Sequence, residues 1–218
     1  MVILVLYAAP VRASAVSPEP LSQADQETIL GFYNEYDVSP EIAQSVIRNL
    51  ERGNLPDSDD GAAPVRVTAR PEGDTVVRIS SFADGSISVS EAPDLHAVAK
   101  AGGSGSVAPF SVSGCTYSSA GSYGGYWKNC VARHRTALLT LAFRFSYSSI
   151  KDEGSKVYDY CCAEHISVGG SFTEGKFVRL RQDVVRYEGT YTVYGGAGSF
   201  TRWMQVLANG TTAWTEMN

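Results

Sequence analysis

From residue 107 onward the chain alternates short β-prone runs with turn residues, and this rhythm limits the fold more than any other feature. The runs fall at 107–118, 124–135, 137–149, 155–160, 164–172, 176–187, 189–195, 199–208 and 211–216. Between them stand Gly124-Gly125, Asp152-Glu153-Gly154, Gly169-Gly170, Gly189, Gly195-Gly196 and Asn209-Gly210, residues that supply the backbone angles of tight turns. Many short strands at close spacing imply an antiparallel sandwich or barrel. All three Trp and nine of the twelve Tyr lie in this stretch, the composition of a half-buried pleated surface and not of a helical bundle. No apolar run approaches the roughly 18 residues of a spanning helix.

The first half reads differently. Residues 1–15 (MVILVLYAAPVRASA) combine an apolar run with Ala13-Ser14-Ala15, the small residues of a signal-peptidase site. They lack a positive start, and a buried first strand is the competing reading. Ser22 precedes polar first-turn residues, and Ile29, Leu30, Phe32, Tyr33 and Tyr36 follow at helical spacing. Ser39-Pro40 restarts a helix, with Ile42, Val46, Ile47 and Leu50 on one stripe and Gly53 at its end. Two short helices over 22–52 cannot bury a core alone and must pack on something. From Val65 the period becomes two, and runs at 75–82 and 86–90 flank Asp84-Gly85, a hairpin signal. Residues 92–106 contain AGGSGS, the composition of a flexible linker. The expected organisation is a signal peptide at 1–15, a helical hairpin at 16–63, a small β-hairpin region at 64–91, a linker at 92–106 and a β-sandwich at 107–218. The fold class is mainly β, a sandwich preceded by two helices and a hairpin.

Charge divides along the same line. Residues 16–106 hold six basic and fifteen acidic side chains, and residues 107–218 hold eleven and eight. The simplest reading is two unrelated solvated surfaces; the sharper one is an acidic front that covers a mildly basic back. A surplus of three cations is too small for a nucleic-acid surface.

Four cysteines allow three pairings. If 107–118 and 124–135 form an antiparallel pair turning at Gly121–Gly125, Cys115 and Cys130 face each other. A disulfide there would stabilise by up to about 3 kcal/mol on the chain-entropy account. Cys161 and Cys162 are adjacent and have three options: a vicinal disulfide, two free thiols, or bonds to other chains. On a regular strand they point to opposite faces, which argues against a common partner.

Motifs of catalysis are sparse. Cys161-Cys162-x-x-His165 lacks the second ligand pair of a structural zinc site, and His96 and His134 stand apart. As nucleophile and base, Cys161 or Cys162 with His165 would need a reduced thiol outside the cell. His134, between Arg133 and Arg135, reads as a solvated strand end. Asp57, Asp59 and Asp60 before Gly61 miss the EF-hand spacing and read as a solvated acidic turn. Carboxylate pairs for glycoside hydrolysis could come from Asp152, Glu153, Asp159, Glu164 or Glu174, but any β protein offers such pairs. No metal set, cofactor fingerprint or serine-nucleophile motif is present.

Aromatic side chains are the remaining candidates. Tyr123, Tyr126 and Trp127 cluster at the proposed hairpin and define the candidate binding surface, against the alternative of core packing. The segment SPEIAQSVIRNLERGNLPDS, then FADGSISV, then Gly114-Cys115 with Tyr126 and Asn129-Cys130-Val131, resembles secreted proteins of unknown function common in actinobacteria. The resemblance covers most of residues 25–150. It implies export, a short helical front and a C-terminal β-sandwich, and it carries no catalytic residue. The leading expectation is a secreted, non-catalytic protein that binds cell-wall polysaccharide or an extracellular protein, without a cofactor, nucleic acid or transmembrane segment. The alternatives are a secreted antibacterial or host-directed protein whose acidic front masks the basic domain and is cut away in the linker, and a carboxylate hydrolase.

Overall fold

The computed structural model describes residues 21–94, 114–115, 117–121, 123–193, 198–210 and 212–218. The expected signal peptide, the leader at 16–20, most of the linker, the start of the strand expected at 107–118, Tyr194 and Gly195-Gly196 lie outside them.

The fold is mainly β, with two antiparallel sheets preceded by two short helices. Helix α1 spans Gln23–Glu35 and α2 spans Pro40–Leu50. Ser22 caps α1 by accepting from the Asp25 amide at 3.1 Å. Ser39 occupies the cap position of α2 but its side chain makes no capping bond. Pro40 sets the first turn instead.

Strands β1 (Arg66–Glu72), β2 (Thr75–Ser81) and β3 (Ile87–Pro93) form a meander. They are followed by β4 (Tyr117–Gly121), β5 (Gly124–Arg135), β6 (Leu139–Ile150) and β7 (Gly154–Ser167). The first sheet runs β1-β2-β3-β5-β6-β7, and β4 shares the β5 edge with β3. The second sheet runs β11-β10-β9-β8, built from β8 (Gly170–Arg181), β9 (Val184–Val193), β10 (Gly198–Asn209) and β11 (Thr212–Met217).

The two sheets bury one core between their inner faces. Alternate residues of β6 (Leu139, Leu141, Phe143, Phe145, Tyr147) are all at most 1% exposed, the alternation of a strand with one face inward. Phe177 of the second sheet meets Phe143 edge to face at 5.3 Å. The helices lie on the opposite, outer face of the first sheet. Val89, paired with Ile79 and Arg135, is fully buried there, and Arg135 bonds Glu35 at the end of α1 and Tyr36 that caps it.

The front and back halves are therefore not separate units. The expected hairpin region supplies three strands of the same sheet as β5–β7, and β3 is bonded to β5 through Val89–Glu91 and Arg133–Arg135. The loop after α2 joins them further. Asp59 is 2% exposed, and its carboxylate accepts from Thr136 at 2.7 Å and Ser58 at 2.9 Å. Its backbone carbonyl accepts from Arg202 of β10. Ser58 and Asp57 donate from their amides to Ser86 and Asp84 of the β2–β3 turn. The acidic stretch expected to be a solvated turn is thus partly a buried junction. Burial holds the Asp59 carboxyl above the usual carboxylate range.

Strand boundaries differ from the sequence reading, beginning with the run expected at 107–118: β4 is Tyr117–Gly121, and Gly114 and Cys115 lie outside it. The runs 155–160 and 164–172 are expected as separate strands, but β7 continues through Cys161-Cys162 as an irregular strand. Gly189 lies within β9, where a Cβ would come 2.5 Å from the Phe172 ring; it is needed for close packing and not for a turn. The turn falls instead at Gln182-Asp183, between Arg181 and Val184.

Candidate functional site

The β4–β5 hairpin has the register in which Cys115 opposes Cys130: the pairs Tyr117–Lys128, Ser118–Trp127 and Ser119–Tyr126 keep the same sum of residue numbers. The two cysteines are joined, and Cys130 is fully buried. Tyr123 is 79% exposed at the tip of this hairpin, and Tyr126 is 48% exposed on the outer face. Trp127 does not belong to that surface. It is 1% exposed and stacks on Tyr147 with ring centroids 5.1 Å apart. Neighbours on a strand point to opposite faces, so exposure of Tyr126 places Trp127 in the core.

His134 is also inside. It is 6% exposed and shares a 2.8 Å hydrogen bond with Ser90, and burial lowers its pKa from the ordinary 6.5 to about 4. The expectation of a solvated strand end fails because His134 sits on the face that the second sheet covers. His165 lies against Phe172, ring centroids 5.0 Å apart, and Cys161 and Cys162 are bonded to each other, so no free thiol stands beside it. Among the described residues, no group of three or more His, Cys, Asp or Glu is placed to hold a metal.

The distinctive geometry is on the outer face beyond the helices. Regular strands flank most of β6, but its residues 144–146 have bulges on both sides. On β5 the register steps from Trp127–Tyr147 to Cys130–Phe145, and Asn129 has φ +52°. On β7 it steps from Ala142–Glu164 to Arg144–Cys161 and then to Ser146–Tyr158. Cys162 (φ +57°) and Asp159 (φ +47°) sit in these two steps. Bulges re-aim side chains and are common next to functional sites, and Cys162 is left-handed without being one of the residue types, Gly, Asn or Asp, that tolerate it readily.

Pairing places the outward side chains in rows: Arg144 beside Cys161, Ser146 beside Tyr158, and Tyr126 beside Ser148 and Lys156. Ser146 and Ser148 are buried between longer neighbours, while Tyr126 and Lys156 are exposed. The Asn129 amide donates to the Ser146 hydroxyl at 3.3 Å, and Arg144 donates to the Asn129 side-chain oxygen at 3.4 Å. The phenol of Tyr158 is held above its usual range by partial burial, by Asp159 and by Tyr126. Lys128, Asn129, Cys161 and Cys162 on and around this face are exposed as well. The face presents an exposed phenol, a half-buried phenol and a lysine ammonium on one sheet, groups suited to stacking and hydrogen bonding.

A depression of about 390 Å³ lies where α1 ends on the same face, lined by Glu35, Tyr36, Arg70, Glu72, Glu91 and Arg133 among others. Its arginines are already paired: Arg70 with Glu72, Arg133 with Glu91.

Of the bulged surface, sequence reasoning found Tyr126 and missed Asn129, Arg144, Ser146 and Tyr158. One signal was available: Asn and Asp tolerate left-handed backbone, so Asn129 and Asp159 inside β-prone runs mark bulges. Comparison of the chain with protein-family models, with curated proteins and with solved structures finds no match.

Proposed function

We propose that the chain is a non-catalytic protein that binds glycans outside the cell, through the outer face of the first sheet around Tyr126, Ser146, Ser148 and Tyr158. One observation carries this reading: the exposed Tyr126 and Lys156 and the half-buried Tyr158 share the outer face of the first sheet, around the buried Ser146 and Ser148. Sugar rings stack on aromatic faces, and their hydroxyls pair with phenols, lysine and arginine. The two disulfides support an oxidising location.

The test is co-sedimentation of the full chain with purified peptidoglycan and a panel of insoluble polysaccharides. The wild type is expected to sediment with at least one of them, and Tyr126→Ala and Tyr158→Ala to weaken this at least about tenfold, the loss of one or two good contacts. A wild type that stays in the supernatant throughout removes the glycan reading and makes an extracellular protein the partner to seek.

A further inference from the structure

We infer that Cys161–Cys162 is a thiol–disulfide exchange site, opened by an external dithiol, and that its opening changes the backbone of the outer face. Four observations converge on this. First, the bond joins adjacent residues, so it closes almost no chain and constrains the unfolded state very little. Global stability is then not what it supplies. The Cys115–Cys130 bond, by contrast, spans a separation of 15 residues.

Second, Cys161 and Cys162 are both exposed, whereas in the other bond Cys130 is fully buried and Cys115 half-buried. An attacking thiolate reaches the first pair without unfolding. Third, Cys162 has φ +57°, a conformation that a side chain with a Cβ rarely adopts, and it sits at a step in the β6–β7 register. In a regular strand the two side chains would point to opposite faces. The bulge is what brings the sulfurs together, and the disulfide in turn holds the bulge. Fourth, Cys161 pairs with Arg144, and the next step of β7 carries Tyr158, so a change here reaches the open face directly. Exposed disulfides held by unfavourable backbone are the labile ones.

The chemistry balances with a dithiol as the named reductant. One thiolate of the dithiol attacks a sulfur of the pair, forms a mixed disulfide and expels the other cysteine as a thiolate. The second thiol of the reagent, deprotonated, attacks the mixed disulfide and releases the remaining cysteine. The dithiol leaves as a cyclic disulfide, and two electrons and two protons have passed to Cys161 and Cys162.

The experiment titrates the native, oxidised full chain with dithiothreitol, traps thiols with a maleimide and locates them by peptide mass. Cys161 and Cys162 are expected to become labelled together, at a dithiothreitol concentration at least about tenfold below that needed for Cys115 and Cys130. Hydrogen exchange of the selectively reduced protein is expected to rise in β6 and β7 and to stay unchanged in the second sheet. Free thiols at 161 and 162 before any reductant, or reduction of both disulfides at the same concentration, overturns the proposal. Selective reduction with unchanged exchange in β6 and β7 overturns the backbone part of it. The double variant Cys161→Ser/Cys162→Ser is expected to show the exchange pattern of the reduced wild type. These readouts require no ligand, so failure of the glycan reading leaves them intact.

Discussion

At the helix-covered end of the first sheet's outer face, Arg135 is bonded to Glu35 at 2.7 Å and Arg133 to Glu91 at 3.1 Å, and the β3–β5 register is regular. At the open end, Arg144 reaches Asn129, and three steps in register surround residues 144–146. Strand β5 runs through both ends. The contrast separates two uses of one surface. Where the sheet must hold another layer, cations are neutralised by carboxylates and the backbone stays regular. Where its side chains are exposed, the backbone carries left-handed residues at the steps in register. The covered end is a device for stability and the open end a candidate for recognition.

The severest way to break that comparison is to remove the covered end. A chain lacking residues 1–94 would lose α1, α2 and β1–β3 and expose the β5 edge that β3 now pairs. It is expected to lose cooperative unfolding and to aggregate, as measured by near-ultraviolet circular dichroism and gel filtration. A stable, monomeric fragment would show that the front is accessory. The same logic weighs against an acidic front that is cut away as a mask, because the front supplies part of the sheet.

Single substitutions sharpen the contrast. Phe32 of α1 is 6% exposed and lies 5.4 Å from the Tyr33 ring and 5.4 Å from the Arg135 guanidinium. Phe32→Ala is expected to cost about 3–5 kcal/mol in urea unfolding. Tyr126→Ala, at the open end, is expected to change stability by no more than about 0.5 kcal/mol while weakening binding. Equal losses of stability would erase the distinction drawn between the two ends.

Sequence reasoning does better at the covered end, for a physical reason. Ser22, Ser39-Pro40 and Asp84-Gly85 act through local backbone geometry, and the helices and the β2–β3 hairpin follow from them. The β4–β5 register likewise depends on one turn. What the sequence hides is set by contacts distant along the chain. Asp59 resembles any loop aspartate until Thr136, 77 residues away, donates to it. Gly189 resembles a turn glycine until the Phe172 ring fills the space beside it. Cys161 and Cys162 can face each other only because β7 slips against β6, and no local rule announces that slip.

Acid should act first through His134. Its folded-state pKa of about 4 lies below the ordinary 6.5, so the neutral ring is the form the fold accepts. Stability from this group is complete above pH 6.5 and is lost as pH falls toward 4, by up to about 3 kcal/mol. Asp59 works in the opposite sense, since burial raises its pKa and protonation relieves the buried charge. The net slope therefore needs a control. His134→Gln is expected to flatten the loss between pH 6.5 and 4, followed by urea midpoints across that range. An unchanged slope would mean that the ring is not held neutral by its position between Ser90 and the second sheet.

The smallest expected effect lies at the Glu35–Arg135 pair, and its sign distinguishes it from His134. The hydrogen bond from Arg135 holds the Glu35 carboxyl below its ordinary 4.5, so its contribution is present above that value and fades as pH falls through the lowered pKa. Glu35 is about half exposed, and solvent screens the pair. Glu35→Gln should therefore cost only about 0.2–1 kcal/mol at neutral pH, less in high salt, and nothing once the wild-type carboxyl is protonated. The arginine also lies 5.4 Å from the Phe32 ring and 5.6 Å from the Tyr36 ring, contacts that the substitution leaves in place. Arg135→Gln removes those as well and should cost more than Glu35→Gln, with a part that salt does not abolish. If the two variants lose the same amount and salt removes both losses, charge alone holds α1 to the sheet here and the aromatic contacts add nothing measurable.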